Sequence, residues 1–198
     1  ATLDINGELG ESFTASKGVP QGCVLSPLLF LNYIDDLLQE MRESGISVDI
    51  ATEVINALAF ADDLSMIAMS PDEATSLLDI LNRWCKRNFF EINTKKSGVM
   101  KIGGDPNMPD VDIYYDGKKL KTLDIIKYLG FLLTKTGSWD KYLDTIVQAG
   151  QAVLAQSWDF FNSEDISFEK KLEIAKLTVF SKLNYGQDII TLNATQTK

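Results

Sequence analysis

Apolar residues recur at two periods along the chain, and the change of period marks out its elements. Leu28, Leu29, Leu31, Ile34, Leu37, Leu38 and Met41 fall three and four residues apart, the spacing of one helix face. Ser26-Pro27 sets the start of that helix, with Ser26 as N-cap and proline at the first helical position, and Gly45 ends it. Ser70-Pro71-Asp72-Glu73 forms a capping box for a second helix, whose inner face is Ala74, Leu77, Leu78, Leu81, Trp84 and Cys85. Between the two, Val54 to Phe60 is apolar apart from Asn56, and Leu64 to Met69 is apolar apart from Ser65. These runs predict two buried strands joined by a turn that carries Asp62 and Asp63. Asn6-Gly7 predicts a hairpin over Ile5–Phe13, and Lys17 to Gly22 reads as a loop. Further strands are predicted at Gly98–Ile102, at Ile113–Tyr115 before a tight Asp116-Gly117 turn, and at Tyr128–Thr134. From Trp139 onward two helices follow, Asp140–Phe161 and Phe168–Leu183, parted by the polar stretch Asn162–Ser167. The order predicts an α+β fold: antiparallel strands with packed helices over residues 1–137, then a small helical unit over 138–198.

Composition narrows the chemistry. At 198 residues, with 45% hydrophobic and 24% charged side chains, the chain is long and apolar enough to bury a core without disulfides. No apolar run approaches the roughly 20 residues of a membrane-crossing helix, so no membrane partner is expected. Cys23 and Cys85 fit no metal-ligand spacing and read as free thiols of an intracellular protein, nuclear or cytoplasmic. Histidine is absent, which removes Ser/His/Asp and Cys/His catalysis and histidine-bound zinc. The net charge of −9 is concentrated in the first 70 residues, which hold 11 acidic and 2 basic side chains. Residues 71–135 carry a net +2 and the remainder −2. Such acidity repels nucleic acid unless divalent cations reverse the local field. The chain opens on Ala1 rather than methionine, and is expected to be part of a longer protein.

Three segments carry candidate chemistry. Asp62-Asp63, at the tip of an apolar hairpin, needs a compensating partner for its paired charge, and Mg²⁺ binds through one or two carboxylates plus substrate phosphates. Side chains alternate along a strand, so Asp62 is the better ligand and Asp63 the second. A solvated turn is the plainer alternative. Asp35-Asp36 is the same pair on an amphipathic helix, where a solvated face accounts for it. Gly18-Val19-Pro20-Gln21-Gly22 allows close backbone approach, and the Gln21 amide can bond a base edge or sugar; a plain loop is the alternative. Lys95-Lys96, between a helix and a strand, can neutralise phosphate charge or protonate a departing pyrophosphate, or can simply be surface charge.

Taken together the segments resemble one family. Gly18-Val-Pro-Gln-Gly-Cys-Val-Leu-Ser-Pro-Leu-Leu-Phe30 resembles the fourth block of reverse transcriptases in its non-LTR (LINE-type) wording. Phe60-Ala-Asp-Asp63 resembles the following polymerase Asp-Asp turn, Asn93-Thr-Lys-Lys-Ser97 the block after it, and Tyr128-Leu129-Gly130 the primer grip. Asn184-Tyr185-Gly186 is similar to the helical thumb region of LINE enzymes. The resemblance spans roughly residues 1–190. It implies a palm followed by the start of a thumb, acting on an RNA template, a DNA primer and dNTPs with two Mg²⁺ ions, or Mn²⁺ in their place. Asp62 and Asp63 would be catalytic metal ligands, Lys96 would sit by the phosphates, and Gly18 to Gly22 would border nucleotide and template. Tyr128, Leu129 and Gly130 would position the primer end. A further aspartate of the family, several dozen residues before the glycine-rich loop, has no counterpart, so the isolated chain is expected to be inactive. A domesticated palm–thumb kept as a binding module and a group II intron maturase are the alternatives. An unpaired sheet edge in such a fragment is expected to promote self-association.

Overall fold

A computed structural model describes residues 2–12, 18–50, 52–103 and 112–190. Phe13 and Lys17 of the predicted hairpin and loop, and residues 191–198 of the predicted helical region, lie outside them. In chain order come β1 (Thr2–Ile5), β2 (Glu8–Ser12), α1 (Ser26–Glu43), β3 (Val48–Ile50), β4 (Glu53–Ile55), β5 (Ala57–Phe60) and β6 (Asp63–Met66). Then follow α2 (Pro71–Asn88), β7 (Gly98–Val99), β8 (Tyr114–Tyr115), β9 (Lys118–Lys119), β10 (Lys121–Thr122), β11 (Ile125–Tyr128) and β12 (Phe131–Thr134). The rest is helical: α3 (Asp140–Gln156), α4 (Trp158–Asn162), α5 (Phe168–Ala175), a π-helical turn at Lys176–Phe180, and α6 (Ser181–Leu183). Helix and strand are mixed as the α+β reading expects. The described strands pair two by two, antiparallel except for β7 with β10. Two compact units result, one of residues 1–92 with 113–118 and one of 93–112 with 119–198.

The first unit is built on α1 and α2. Ser70 caps α2, its hydroxyl accepting from the Glu73 amide at 3.2 Å, while the Glu73 carboxylate accepts from the Met69 amide at 2.8 Å. Leu77, Leu78, Leu81, Trp84 and Cys85 are buried as the periodicity demands, together with Ile80. Ile34, Leu37 and Met41 of α1 complete the core with Ile113 and Tyr115. Tyr33 stacks on Phe90 and meets Trp84 edge-on, and its hydroxyl donates to the Asn88 carbonyl at 3.1 Å. Lys86 and Asn82 of α2 hold the Asp116 carboxylate, and their hydrogen bonds keep its pKa below the usual carboxylate value. Asn56, the polar residue in an apolar run, is buried because its amide donates to the Met41 and Ile46 carbonyls at 2.6 and 3.0 Å.

Three expectations change here. Ser26 is the first residue of α1 and not its cap: Leu25 holds that position, and the Ser26 hydroxyl donates to the Pro20 carbonyl at 2.6 Å. Only the second half of the α1 stripe is buried, since Leu28, Leu29 and Leu31 are more than half exposed. The strands around Asp62 are half exposed rather than buried, with Val54 and Phe60 at 67% and 63%. They belong to two-stranded ribbons, whose outer edges pair with no further described strand.

The second unit corrects the strand predicted over Tyr128–Thr134. It is a hairpin in which Tyr128 pairs with Phe131, because Leu129 and Gly130 turn the chain at φ 48° and 88°. The long helix predicted from Asp140 breaks at Ser157, and the one from Phe168 carries the π turn. Tyr142, Gly150 and Val179 are buried in this unit, Gly150 directly under the Leu183 side chain.

Candidate functional site

Asp62 and Asp63 stand at the corner of the β5–β6 hairpin, where Phe60 pairs with Asp63 and Ala61-Asp62 form the two-residue loop. Ala61 has φ 51°, a left-handed conformation that costs a β-carbon-bearing residue about 1–2 kcal/mol. Both carboxylates are exposed, and among the described residues neither has an ion-pair partner. Asp63 begins a strand and Asp62 sits in the turn, so the two side chains leave the backbone from different local conformations.

The glycine-rich loop belongs to the same unit. Pro20 to Cys23 form a turn closed by the Cys23 amide on the Pro20 carbonyl at 3.4 Å. Gly22 occupies its third position at φ 83°, which a type II turn reserves for glycine. Gln21 is therefore at the outer corner, exposed, and the Pro20 carbonyl is tied to α1 through Ser26. Exposed Cys23 follows; hydrogen bonds from the Leu25 amide and Ser26 hold its thiol below its ordinary pKa. Cys85 is buried, and burial pushes its thiol up.

Lys95 and Lys96, in the second unit, are exposed on a loop between α2 and β7. Asn93 organises that loop: its side chain accepts from the Lys95 amide at 3.2 Å, and its carbonyl accepts from the Lys96 and Ser97 amides at 3.0 Å. The Tyr128–Gly130 turn lies in the same unit, and Tyr185 is brought onto it. The Tyr185 hydroxyl donates to the Leu129 carbonyl at 2.7 Å, and its own carbonyl accepts from the Tyr142 hydroxyl at 2.8 Å. Burial raises the Tyr142 pKa, so that hydroxyl stays protonated as a donor. A cleft of about 320 Å³ opens beside the turn, lined by Gly130, Tyr142, Ile146, Ser181, Lys182 and Tyr185 among others. Of these features, the strain at Ala61 and the hydrogen bonds of Tyr185 carry no periodic signal; only the wording Asn184-Tyr185-Gly186 pointed to the latter.

Residues 1–133 match the family Reverse transcriptase (RNA-dependent DNA polymerase). The chain belongs to the reverse transcriptase family. Its curated relatives include the Retrovirus-related Pol polyprotein from type-2 retrotransposable element R2DM of Drosophila melanogaster, 33% identical over 69% of this chain and 14% of that protein. The RNA-directed DNA polymerase from mobile element jockey of the same organism is 25% identical over 97% of this chain and 21% of its own length. The Probable RNA-directed DNA polymerase from transposon X-element, again of D. melanogaster, is 29% identical over 88% and 19%. This reverse transcriptase chain is thus of the non-LTR, LINE-type kind, and spans about a fifth or less of the relatives it matches. Among its described residues no three metal-binding side chains cluster. The Asp62–Asp63 pair fits a hard cation shared with substrate phosphates rather than a closed protein cage.

Proposed function

We propose that this reverse transcriptase chain supplies the palm, over residues 1–137, and the start of the thumb, over 138–198, of an RNA-directed DNA polymerase that copies an RNA template from a DNA primer with dNTPs. The carrying observation is the pair of exposed carboxylates, without ion-pair partners among the described residues, on a strained hairpin corner. Bound there, Mg²⁺ ions, or Mn²⁺ in their place, supply the positive charge that activates the primer 3′-hydroxyl and steadies the leaving pyrophosphate. Asp62 is the principal ligand and Asp63 the assisting one. Gly18, Val19, Pro20 and Gly22 keep the loop backbone open to nucleotide and template, and Gln21 offers its amide to a base or sugar. Lys96 lies by the triphosphate, donating charge or a proton as the pyrophosphate departs. Tyr128, Leu129 and Gly130 grip the primer end. The protein works inside the cell, in nucleus or cytoplasm, and the isolated chain self-associates through open ribbon edges.

Two adjacent carboxylates with no third metal-binding side chain clustered beside them, among the described residues, do not hold two metal ions. The isolated chain should therefore give no primer extension with Mg²⁺ and dNTPs, whereas the longer polymerase that contains it should. Template-dependent product from the 198-residue chain overturns this reading. In the longer protein, Lys96→Ala should lower the rate of the chemical step by about 10²-fold in single-turnover assays, the usual scale of a lost proton donor. Nucleotide affinity should change far less; the reverse pattern means that Lys96 only docks the triphosphate.

A further inference from the structure

We infer that Tyr185 is a positioning residue for the primer-grip turn, holding Leu129 and Gly130 in the conformation that meets the primer end. The inference rests on the primer-gripping role proposed above. A two-residue hairpin loop with both residues at positive φ favours Asn-Gly, yet here the first residue is leucine at φ 48°. Nothing local rewards that conformation, since leucine has no polar side chain to bond its own backbone. The reward comes from 56 residues away. Tyr185 donates its hydroxyl proton to the Leu129 carbonyl at 2.7 Å, and its ring closes on Gly130, where an added β-carbon would stand 3.1 Å from Cε1.

Tyr185 is itself held. Phe131, the residue after the turn, stacks on Tyr185 with centroids 5.4 Å apart and on Tyr142 at 5.1 Å. The Tyr142 hydroxyl then binds the Tyr185 carbonyl. Ring, hydroxyl and backbone thus clamp the turn from the helical part of the unit, and the grip keeps its shape only while Tyr185 stays docked.

The test uses the full-length polymerase that contains this chain, with a DNA primer annealed to an RNA template. In Tyr185→Phe, amide hydrogen exchange over residues 129–131 should quicken about five-fold, the usual effect of one lost hydrogen bond. KM for primer–template should rise by a similar factor while kcat stays near the parent value. Tyr142→Phe frees the Tyr185 carbonyl but leaves the Tyr185 hydroxyl able to reach Leu129, and should loosen the turn in the same direction by a smaller factor. Adding Leu129→Asn to Tyr185→Phe relieves the left-handed strain and should restore protection of the turn. Unchanged exchange in Tyr185→Phe, or greater loosening by Tyr142→Phe than by Tyr185→Phe, overturns the inference. A loosened turn with unchanged primer KM overturns its link to the primer, and the primer-grip reading with it.

Discussion

Asp62→Asn in the full-length polymerase is expected to abolish DNA synthesis while leaving the fold intact. Asparagine matches aspartate in shape but brings no negative charge, so if Asp62 is the ligand proposed above, the variant keeps the hairpin corner and loses the cation. Losing a group that merely orients a metal ligand costs about 10–100-fold, so losing the ligand itself should cost more than about a hundredfold. Stability should hardly move, because Asp62 is exposed and no described residue pairs with it. Primer extension beside thermal unfolding by circular dichroism separates the two effects. Asp63→Asn should lose less, since that residue belongs to the strand and is proposed as the assisting ligand. Equal synthesis by the Asp62 variant and the parent rejects the assignment.

The second large effect is on stability. A β-carbon on Gly186 would stand 2.3 Å from Cε1 and 2.5 Å from Cζ of Phe131, and the residue has φ 75°. Phe131 cannot retreat, being stacked between Tyr142 and Tyr185 with Trp139 against its edge. Overpacking and left-handed strain together suggest a loss of about 3 kcal/mol for Gly186→Ala. For a chain of this size that lowers Tm by roughly 6–12 °C. Gly137→Ala is the control, because its φ of 71° carries the same backbone strain with nothing within 4 Å. The excess loss at 186 over 137 measures the packing of the ring cluster, and equal losses would leave backbone strain as the sole cause.

What could be read beforehand followed from local chemistry. Ser70-Pro71-Asp72-Glu73 and the apolar stripe behind it contain nearly all the information that makes α2, and the structure returns that helix with its cap. Asp62-Asp63 between two apolar runs was enough to locate a hairpin corner. The failures share a different cause. Leu129 adopts a conformation that its own side chain disfavours, so a continuous strand was the sensible local reading and a distant tyrosine decided otherwise. Ser26 precedes a proline like a cap, yet the turn at Pro20 offers its hydroxyl a carbonyl, and the helix begins without it. The apolar period of α1 continues through Leu28, Leu29 and Leu31 although that half of the helix is exposed, because periodicity records a face and not what covers it. Asn56 is the converse: a polar interruption of an apolar run satisfies two carbonyls, Met41 in the last turn of α1 and Ile46 just beyond it.

The wide turn at Lys176–Phe180 has its own consequence for how this segment tolerates change in length. One surplus residue in a helix advances everything beyond it by about 100°. Leu183, which covers Gly150, and Tyr185, which reaches Leu129, take their bearings from that offset. Deleting a single residue there should leave an unbroken, well-formed helix, yet swing the tyrosine away from its carbonyl. Within Lys176–Phe180, length therefore sets the bearing of the residues that follow.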